Sequence, residues 1–302
     1  MQLVPRVTIA DANLSSSTVT ESETLWSGAT TYGAAARVYR VIDSVHQAFV
    51  SQQASNTNHI PEDDDGTWWL ADGPTNRWAP FDGSVGSLAS RATSAQWVLA
   101  IAATERVDTL YLAGLSALSV RVRMTDAIAG AVYDETVNLS DPSGVTDWYV
   151  YFTLPVTYLS ELLISELPYG AGPTLTIDLD YAGGTVTCGV IHPGYARELG
   201  GTRWGAQLGI RDYSVKQDDE FGNAVVVERA FRKRGSFSLI VENRLMDALI
   251  ATLAAYRATL ALYVGDTGYA STAILGFYKD FAVEMALPPD RSLCSLELES
   301  LV

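Results

Sequence analysis

The residues that most often carry out chemistry in enzymes are few in this chain. It holds three histidines, His46, His59 and His192, and a serine or cysteine triad would have to recruit one of them. None lies in a recognisable catalytic signature, and the sequence has no phosphate-binding glycine loop, no nucleophile elbow and no H-E-x-x-H motif. We therefore expect all three histidines on the surface or in loops, and predict no catalytic residues and no enzyme activity. A glycosidase-like carboxylate pair stays open, because its two members need only be close in space.

The acidic run at residues 62–66, Glu-Asp-Asp-Asp-Gly, is a candidate metal loop. It lacks the alternating ligands and the bidentate glutamate of an EF-hand, which favours a solvated turn.

Cys188 and Cys294 lie far apart in apolar, strand-like stretches and offer no metal-ligand spacing. We expect two buried thiols, since a disulfide would require them to meet in the fold. The sequence predicts no metal and no cofactor.

Aromatic residues are concentrated within residues 25–81, at spacings that helices do not use and between Gly, Asn, Asp and Pro turn residues. This pattern indicates a small β-module. Trp26 and Tyr32 are expected in its core, because aromatics supply most of the burial in a small domain. Trp68 and Trp69 are neighbours, so on a strand they point to opposite faces and one can be exposed. An exposed tryptophan stacks on a sugar ring or anchors a protein interface, and the sequence leaves both uses open. The candidate carbohydrate- or partner-binding residues are Trp26, Tyr32, Trp68 and Trp69.

One order of residues runs through this segment: Trp26, Tyr32, Ala36 before Val38, Phe49, and Pro61 before Trp68 and Trp69. That order resembles the small chitin-binding type of carbohydrate-binding module found on bacterial glycosidases. The continuation TWWLADGPTNRWAPFDGSVGS is similar to the version of this module in tail-tip and baseplate proteins of long-tailed, siphovirus-type bacteriophages, where it precedes a β-rich body. Ala36 stands where the free-standing modules usually carry Gly, which predicts a different local turn. The resemblance implies a structural virion protein that carries a carbohydrate-binding-module-like domain.

Composition restricts the other function classes. The 302 residues are 48% hydrophobic and 18% charged, which describes a well-packed chain with room for two or three domains. A net charge of −15 argues against nucleic acid as a partner. The start of the chain lacks the pattern of a signal peptide, and no apolar stretch is long enough to span a bilayer. We expect a protein made in the cytoplasm with no membrane span.

Period-two alternation predicts a mainly β fold. It is clear at residues 119–124 (SVRVRM) and 174–181 (TLTIDLDY), and further strands are expected, among them DWYVYFTL at 147–154. The predicted organisation is an N-terminal strand or arm at 1–23, the aromatic module at 24–81, an antiparallel β-sandwich at 82–195, and a β-domain with one helix at 196–302.

The pattern of the sequence changes in the C-terminal third of the chain, where a helix is predicted among the strands. A hairpin is expected around DDEFGN, with Gly222 and Asn223 at its turn. An amphipathic helix is predicted over about residues 244–257, capped by Asn243, because its apolar positions fit one helical face: Leu245, Met246, Leu249, Ile250, Leu253 and Tyr256. One helix on a β-sheet in this order resembles phage tail-tube and distal-tail proteins, which implies assembly contacts.

A basic cluster in this third, Arg229, Arg232, Lys233 and Arg234, stands out in so acidic a chain. It is interpreted either as a solvated strand end or as a docking site for an acidic neighbour.

Three hypotheses for the function of the chain follow from the sequence. They are a structural subunit of a phage tail tip or baseplate, a glycan-binding adhesion protein, and a secreted glycosidase, the last disfavoured by the missing signal peptide. The first predicts location in the virion tail, assembly in the host cytoplasm, and the hub, distal-tail and fibre proteins as partners. The second predicts a host cell-surface glycan as ligand.

Overall fold

The computed structural model describes residues 1–168, 170, 172–218, 224–285 and 290–301, and within them the fold is mainly β. In chain order the strands are β1 (Gln2–Pro5), β2 (Leu14–Ser17), β3 (Thr24–Leu25), β4 (Thr31–Tyr32), β5 (Arg37–Ile42), β6 (Val45–Ser51), β7 (Asn56–Thr57), β8 (Trp69–Pro74), β9 (Ala89–Ala100), β10 (Thr109–Ala113), β11 (Ser119–Asp126), β12 (Gly130–Asn138), β13 (Glu161–Ile164), β14 (Thr174–Cys188), β15 (Val190–Gly194), β16 (Arg197–Glu198), β17 (Gly201–Thr202), β18 (Gln207–Asp212), β19 (Val215–Asp218), β20 (Ala224–Val227), β21 (Phe231–Glu242), β22 (Ala261–Val264), β23 (Ala273–Glu284) and β24 (Arg291–Ser300). The α-helices are α1 (Trp148–Thr153) and α2 (Met246–Ala255), and short 3-10 helices occur at Pro61–Asp63, Ala79–Phe81, Asn243–Leu245 and Ala270–Thr272.

The middle of the chain forms an antiparallel β-sandwich, as predicted. One sheet has the order β12-β11-β14-β9-β2 and the other β13-β10-β15. Along β11 the apolar residues Val120 and Val122 face the core, while Arg121 and Arg123 face outward. The outward arginines form ion pairs with Asp134 and Asp178 on the neighbouring strands. The alternation in the sequence therefore sets which face of this sheet is buried.

The second face of the three-stranded sheet packs on a third layer. This layer is an eight-stranded sheet with the order β16-β1-β22-β23-β24-β21-β17, in which β18 also pairs with β21. In β22 alternate residues go to opposite sides: Leu262 and Val264 pack toward the sandwich, and Ala261 and Tyr263 pack away from it. β10, β15 and β22 are consequently buried along their whole length.

Helix α2 covers the far face of the eight-stranded sheet through Leu249 and Leu253. The predicted apolar face is thus buried only in part, since Leu245 and Ile250 are exposed. Asn243 was predicted to cap α2, but it does not. It is instead the first residue of a 3-10 turn that precedes the helix, and its side-chain oxygen accepts a hydrogen bond from the Ser292 hydroxyl.

The residues before the module contribute to two layers. β1 pairs with β22 and β16 in the eight-stranded sheet, whereas β2 pairs with β9 in the sandwich. Among the described residues, no helix has the length and apolarity needed to cross a membrane. Both cysteines are buried and unpaired, which confirms the expected thiols, and burial raises the pKa of Cys188 to about 12.

Two of the three histidines contradict the expectation of surface positions. His192 lies on β15 with no exposed surface, and its Nε2–H donates to the Val4 carbonyl at 2.9 Å. His46 lies on β6 and is also buried, with a carboxylate oxygen 2.9 Å from each ring nitrogen. Partners from distant segments satisfy both ring nitrogens of His46, whereas in the part of the chain that the structure describes His192 is satisfied at Nε2 alone. His59 is half-buried.

The segment DWYVYFTL is a helix where a strand was predicted. Asp147 caps α1, its carboxylate accepting a hydrogen bond from the Val150 amide at 2.9 Å, and Pro155 follows the helix end. A good N-cap and a nearby proline have overridden the β propensity of four aromatic residues and a valine. The strands expected around DDEFGN do pair, as β19 with β20, while Gly222 and Asn223 lie outside the described residues.

Candidate binding surfaces

The aromatic module is a four-stranded sheet with the order β3-β5-β6-β8 beside the two-stranded pair β4-β7. Its core consists of Tyr32, Val38, Phe49 and Trp69. The strands are short and the core is small, so the buried rings dominate its packing. The left-handed residue of the turn before β5 is Ala35, with φ of 63°, and not Ala36.

Tyr32 and Trp69 hold the module together from inside. Their rings meet edge to face with centroids 5.3 Å apart. The Trp69 indole N–H donates to the His59 carbonyl at 2.8 Å, and the Tyr32 hydroxyl oxygen accepts from the Ser27 amide at 2.7 Å. Both candidate binding residues are therefore buried with their polar atoms satisfied.

Trp68 and Trp26 lie at the module surface and are half-buried. The Trp68 ring stacks on His59 with centroids 4.0 Å apart and planes 9° apart. The guanidinium of Arg40 lies 5.0 Å from the Trp26 ring centroid, in cation–π contact. Each surface tryptophan thus has one ring face covered by a neighbouring side chain.

Two residues of the acidic run next to these rings, Asp64 and Glu62, form hydrogen bonds within the module. The Asp64 carboxylate accepts hydrogen bonds from the amides of Trp69, Trp68 and Gly66 at 2.9, 3.0 and 2.9 Å. Burial alone would raise the pKa of Asp64, but these backbone hydrogen bonds hold it below its ordinary value. Glu62 binds Arg40, its two oxygens each 3.1 Å from the Arg40 Nε. The described residues contain no His, Cys, Asp and Glu grouping suited to a metal ion.

A ring stack joins the module to the sandwich. His46 lies between Tyr39 and Trp78, with ring centroids 4.3 and 4.6 Å away, and Trp78 belongs to the sandwich core. The two carboxylates that flank His46 come from Asp11 and Glu21, in the segment before the module. Burial alone would raise the pKa of Glu21, yet the hydrogen bonds from His46 and Thr75 keep it below its ordinary value.

Two members of the basic cluster form ion pairs within the molecule, and among the described residues the other two do not. Lys233 Nζ lies 2.6 Å from Glu161 on β13, and Arg232 Nη1 lies 3.3 Å from Glu299. The two remaining members, Arg229 and Arg234, are exposed, and within the described parts of the chain neither forms an ion pair.

The Lys233–Glu161 pair connects two layers of the fold. Glu161 also accepts a hydrogen bond from the Tyr111 hydroxyl at 2.9 Å. Burial, together with the neighbouring Glu161 charge, raises the pKa of Tyr111 well above its ordinary value. Lys233 therefore reaches from the eight-stranded sheet to the sandwich, an internal role that the sequence did not indicate.

A surface that the sequence did not predict lies on the connection between β12 and β13. We call residues 141–160 the α1 segment. Trp148, Tyr149 and Phe152 on α1 are 77–78% exposed, and Tyr151 is 59% exposed. The density of aromatics between Pro142 and Pro155 is the signal that could have pointed to it, but it was interpreted as a strand.

A cleft of about 620 Å³ lies where the module meets the other layers, lined in part by Phe49, Tyr256, Arg6 and Asp82. The Arg6 guanidinium donates to the Phe81 carbonyl, and burial lowers the pKa of Arg6 despite the nearby Asp82 charge. Burial raises the pKa of Asp82. The opposite charges of these two side chains balance each other at the cleft.

No protein-family model matches this chain, and no curated protein sequence matches it.

Proposed function

We propose that this chain is a structural subunit of a bacteriophage tail tip or baseplate, and that its output is contact with other macromolecules. The observation that carries the proposal is the exposed aromatic surface of α1. Large exposed apolar patches mark interaction sites, and Trp and Tyr are the residues that most often dominate binding energy at such sites. The proposal extends the resemblance of the module and the C-terminal third to tail proteins, and it assigns no reaction to the chain.

The α1 surface is built to make contact at low entropic cost. Its rings pack on one another, with centroids 6.0 Å apart for Trp148–Tyr151 and 5.2 Å for Tyr151–Phe152. The ends of the segment are tied by backbone hydrogen bonds of 2.8 Å from Asp141 to Thr157 and from Leu159 to Leu139. Rings that are already ordered lose little freedom on binding, so more of the contact energy remains for affinity.

The decisive experiment locates the chain in a particle. Electron microscopy of purified virions, with cross-linking mass spectrometry on the same sample, should place it at the distal end of a tail. Cross-links from the C-terminal third should reach hub, distal-tail or fibre proteins. Virions that lack the chain altogether would contradict the proposal.

A second candidate function, glycan binding, rests on the Trp68–His59 stack. The half-buried Trp68 leaves part of its ring accessible, and tryptophan faces bind sugar rings by stacking. A glycan array should show retention that Trp68→Ala abolishes. Tyr32 and Trp69 are poor probes for this test, because both are buried and their removal would damage the module itself. Retention unchanged in Trp68→Ala would exclude this surface as the glycan site.

A further inference from the structure

The α1 segment stands out from the edge of the sandwich on a short stalk. At its base two backbone hydrogen bonds of 2.8 Å join residues 139–141 to residues 157–159. Leu139 is fully buried in the sandwich core, so the stalk is rooted in the fold. Of the twenty residues in the segment eighteen are exposed, and only Asp141 and Val150 are half-buried. The segment therefore presents its side chains to the surroundings and not to the body of the protein.

The exposed rings extend around more of α1 than one flat packing surface covers. Because successive residues of a helix are about 100° apart, the four rings span an arc of about 160°: Trp148, Tyr149, Tyr151 and Phe152. A helix that packs on one protein surface usually presents an apolar stripe of roughly 100°. Apolar surface continues after the helix, where four more side chains are exposed: Leu154, Val156, Tyr158 and Leu159. The partner must therefore enclose the segment, as a lipid bilayer or a deep protein groove does.

The composition of the segment favours lipid over a protein groove. From Trp148 to Ser160 no residue is charged, and four of these thirteen residues are Trp or Tyr. Protein interfaces surround their apolar centre with a polar, hydrogen-bonded rim, for which a run without charges is poorly suited. Trp and Tyr are enriched at the boundary between membrane and water, because one end of each ring is apolar and the other is polar.

Polar groups of α1 are satisfied within the helix, as an apolar medium requires. The Thr153 hydroxyl donates to the Tyr149 carbonyl at 2.7 Å, and the Asp147 carboxylate accepts from the Val150 amide at 2.9 Å. Pro155, just after the helix, has no amide N–H to satisfy. The six residues of α1 are about 9 Å long, which agrees with the depth of about 5–10 Å to which interfacial helices are buried.

We propose that the α1 segment inserts into the headgroup region of a lipid bilayer, with its rings reaching the outer part of the acyl chains. Lipid without net charge is the expected surface, because the segment has no basic residue and anionic headgroups repel a chain of net charge −15. This contact names a partner class for the α1 surface and rests on the proposed function only in treating α1 as a contact surface. It is tested on the purified chain, so its failure leaves the virion location untouched.

Cosedimentation with sucrose-loaded phosphatidylcholine vesicles tests the insertion. The wild-type chain should bind with little dependence on salt, because burial of apolar surface and not charge provides the affinity. W148S/F152S should bind at least about tenfold more weakly, because each substitution removes a ring. W204S is the matched control, since Trp204 is 88% exposed and lies outside the α1 segment, and it should bind as the wild type does. Circular dichroism and thermal unfolding first establish that each variant is folded.

Two further measurements separate insertion from adsorption by charge. When phosphatidylglycerol replaces part of the phosphatidylcholine, binding at low salt should weaken. D141N/D147N should recover part of that loss, because Asn removes the charges and still caps helices and turns. Lipids brominated in their acyl chains should quench the tryptophan fluorescence of the bound wild type. W148F keeps a ring at this position, so it should still bind but lose most of the quenching.

Four results would overturn the proposal. The first is a wild-type chain that does not bind phosphatidylcholine vesicles, which would leave a protein groove as the partner of α1. The second is W148S/F152S binding as tightly as the wild type, and the third is an equal loss of binding in W148S/F152S and W204S. The fourth is full quenching by brominated lipid in W148F, which would place a different tryptophan in the bilayer.

Discussion

The buried ring of His192 makes the stability of this protein depend on pH in a calculable way. Its Nε2–H donates to the Val4 carbonyl, while Nδ1 is buried without a hydrogen-bond partner among the described residues. A proton added to Nδ1 would therefore create a buried charge and an unsatisfied donor. Burial lowers the pKa of His192 to about 4 from the ordinary 6.5, against a smaller opposing effect of the Val4 carbonyl.

The magnitude follows from the difference between the two pKa values. As the pH falls below 6.5 the unfolded chain binds a proton at this ring and the folded chain does not, so the free energy of unfolding decreases until about pH 4. Above pH 6.5 the full stability is present. Because one pKa unit corresponds to about 1.4 kcal/mol, the loss attributable to His192 is about 3 kcal/mol.

Urea unfolding from neutral pH down to about 4 measures this loss. His192→Gln should be less stable at neutral pH by about 1–3 kcal/mol, since the hydrogen bond to Val4 is disturbed, but its stability should fall less steeply with acid. Ile191→Val, at the neighbouring buried position, provides a control that loses about 1 kcal/mol of packing and keeps the wild-type slope. Parallel pH profiles for the wild type and His192→Gln would refute the assignment of a neutral ring.

Five further substitutions test the module and the connection between layers. Trp69→Ala should cost the module about 3–5 kcal/mol in thermal unfolding, whereas Trp68→Ala should cost much less because that ring is only half-buried. Asp64→Ala should lower the free energy of unfolding by about 1–3 kcal/mol, because three amides lose their acceptor. In the wild type the same contribution should be lost as the pH falls through the pKa of Asp64, which lies below its ordinary value of 3.8. A double-mutant cycle of Lys233→Met with Glu161→Gln should give a coupling of about 1 kcal/mol, because both side chains remain about 30% exposed; a coupling of zero in urea unfolding would show that the pair does not tie the layers together.

The strands were predictable because burial on one face leaves a period-two record in the sequence. Val120 and Val122 alternate with Arg121 and Arg123, and that pattern alone gives the correct buried face of β11. The buried thiols were predictable for a related reason, since apolar neighbours on a strand indicate its environment. The local sequence pattern is sufficient to predict burial where a residue's environment depends only on which face of its strand it occupies.

Contacts between distant segments left no such record. His192 meets Val4, and Lys233 meets Glu161, across 188 and 72 positions of sequence. Nothing in the residues around either partner marks the other. A buried histidine was therefore expected on the surface, and a lysine that forms an ion pair within the molecule was assigned to an assembly contact or a solvated strand end. For α1 the local signals conflicted, and the Asp147 cap prevailed over the β propensity of the rings.

The same long-range contacts determine how the surfaces of the molecule are presented. The module is held to the sandwich by the Tyr39–His46–Trp78 stack and by carboxylates from the segment before it, so Trp68 is carried on a supported domain and not on a free tether. The α1 segment, in turn, ends at Glu161, which Lys233 joins to the eight-stranded sheet. A subunit whose neighbours must sit at defined angles needs contact surfaces fixed relative to one another. In the proposed subunit, His46, Lys233 and Glu161 supply that fixed geometry, and the exposed rings of α1 are the proposed contact.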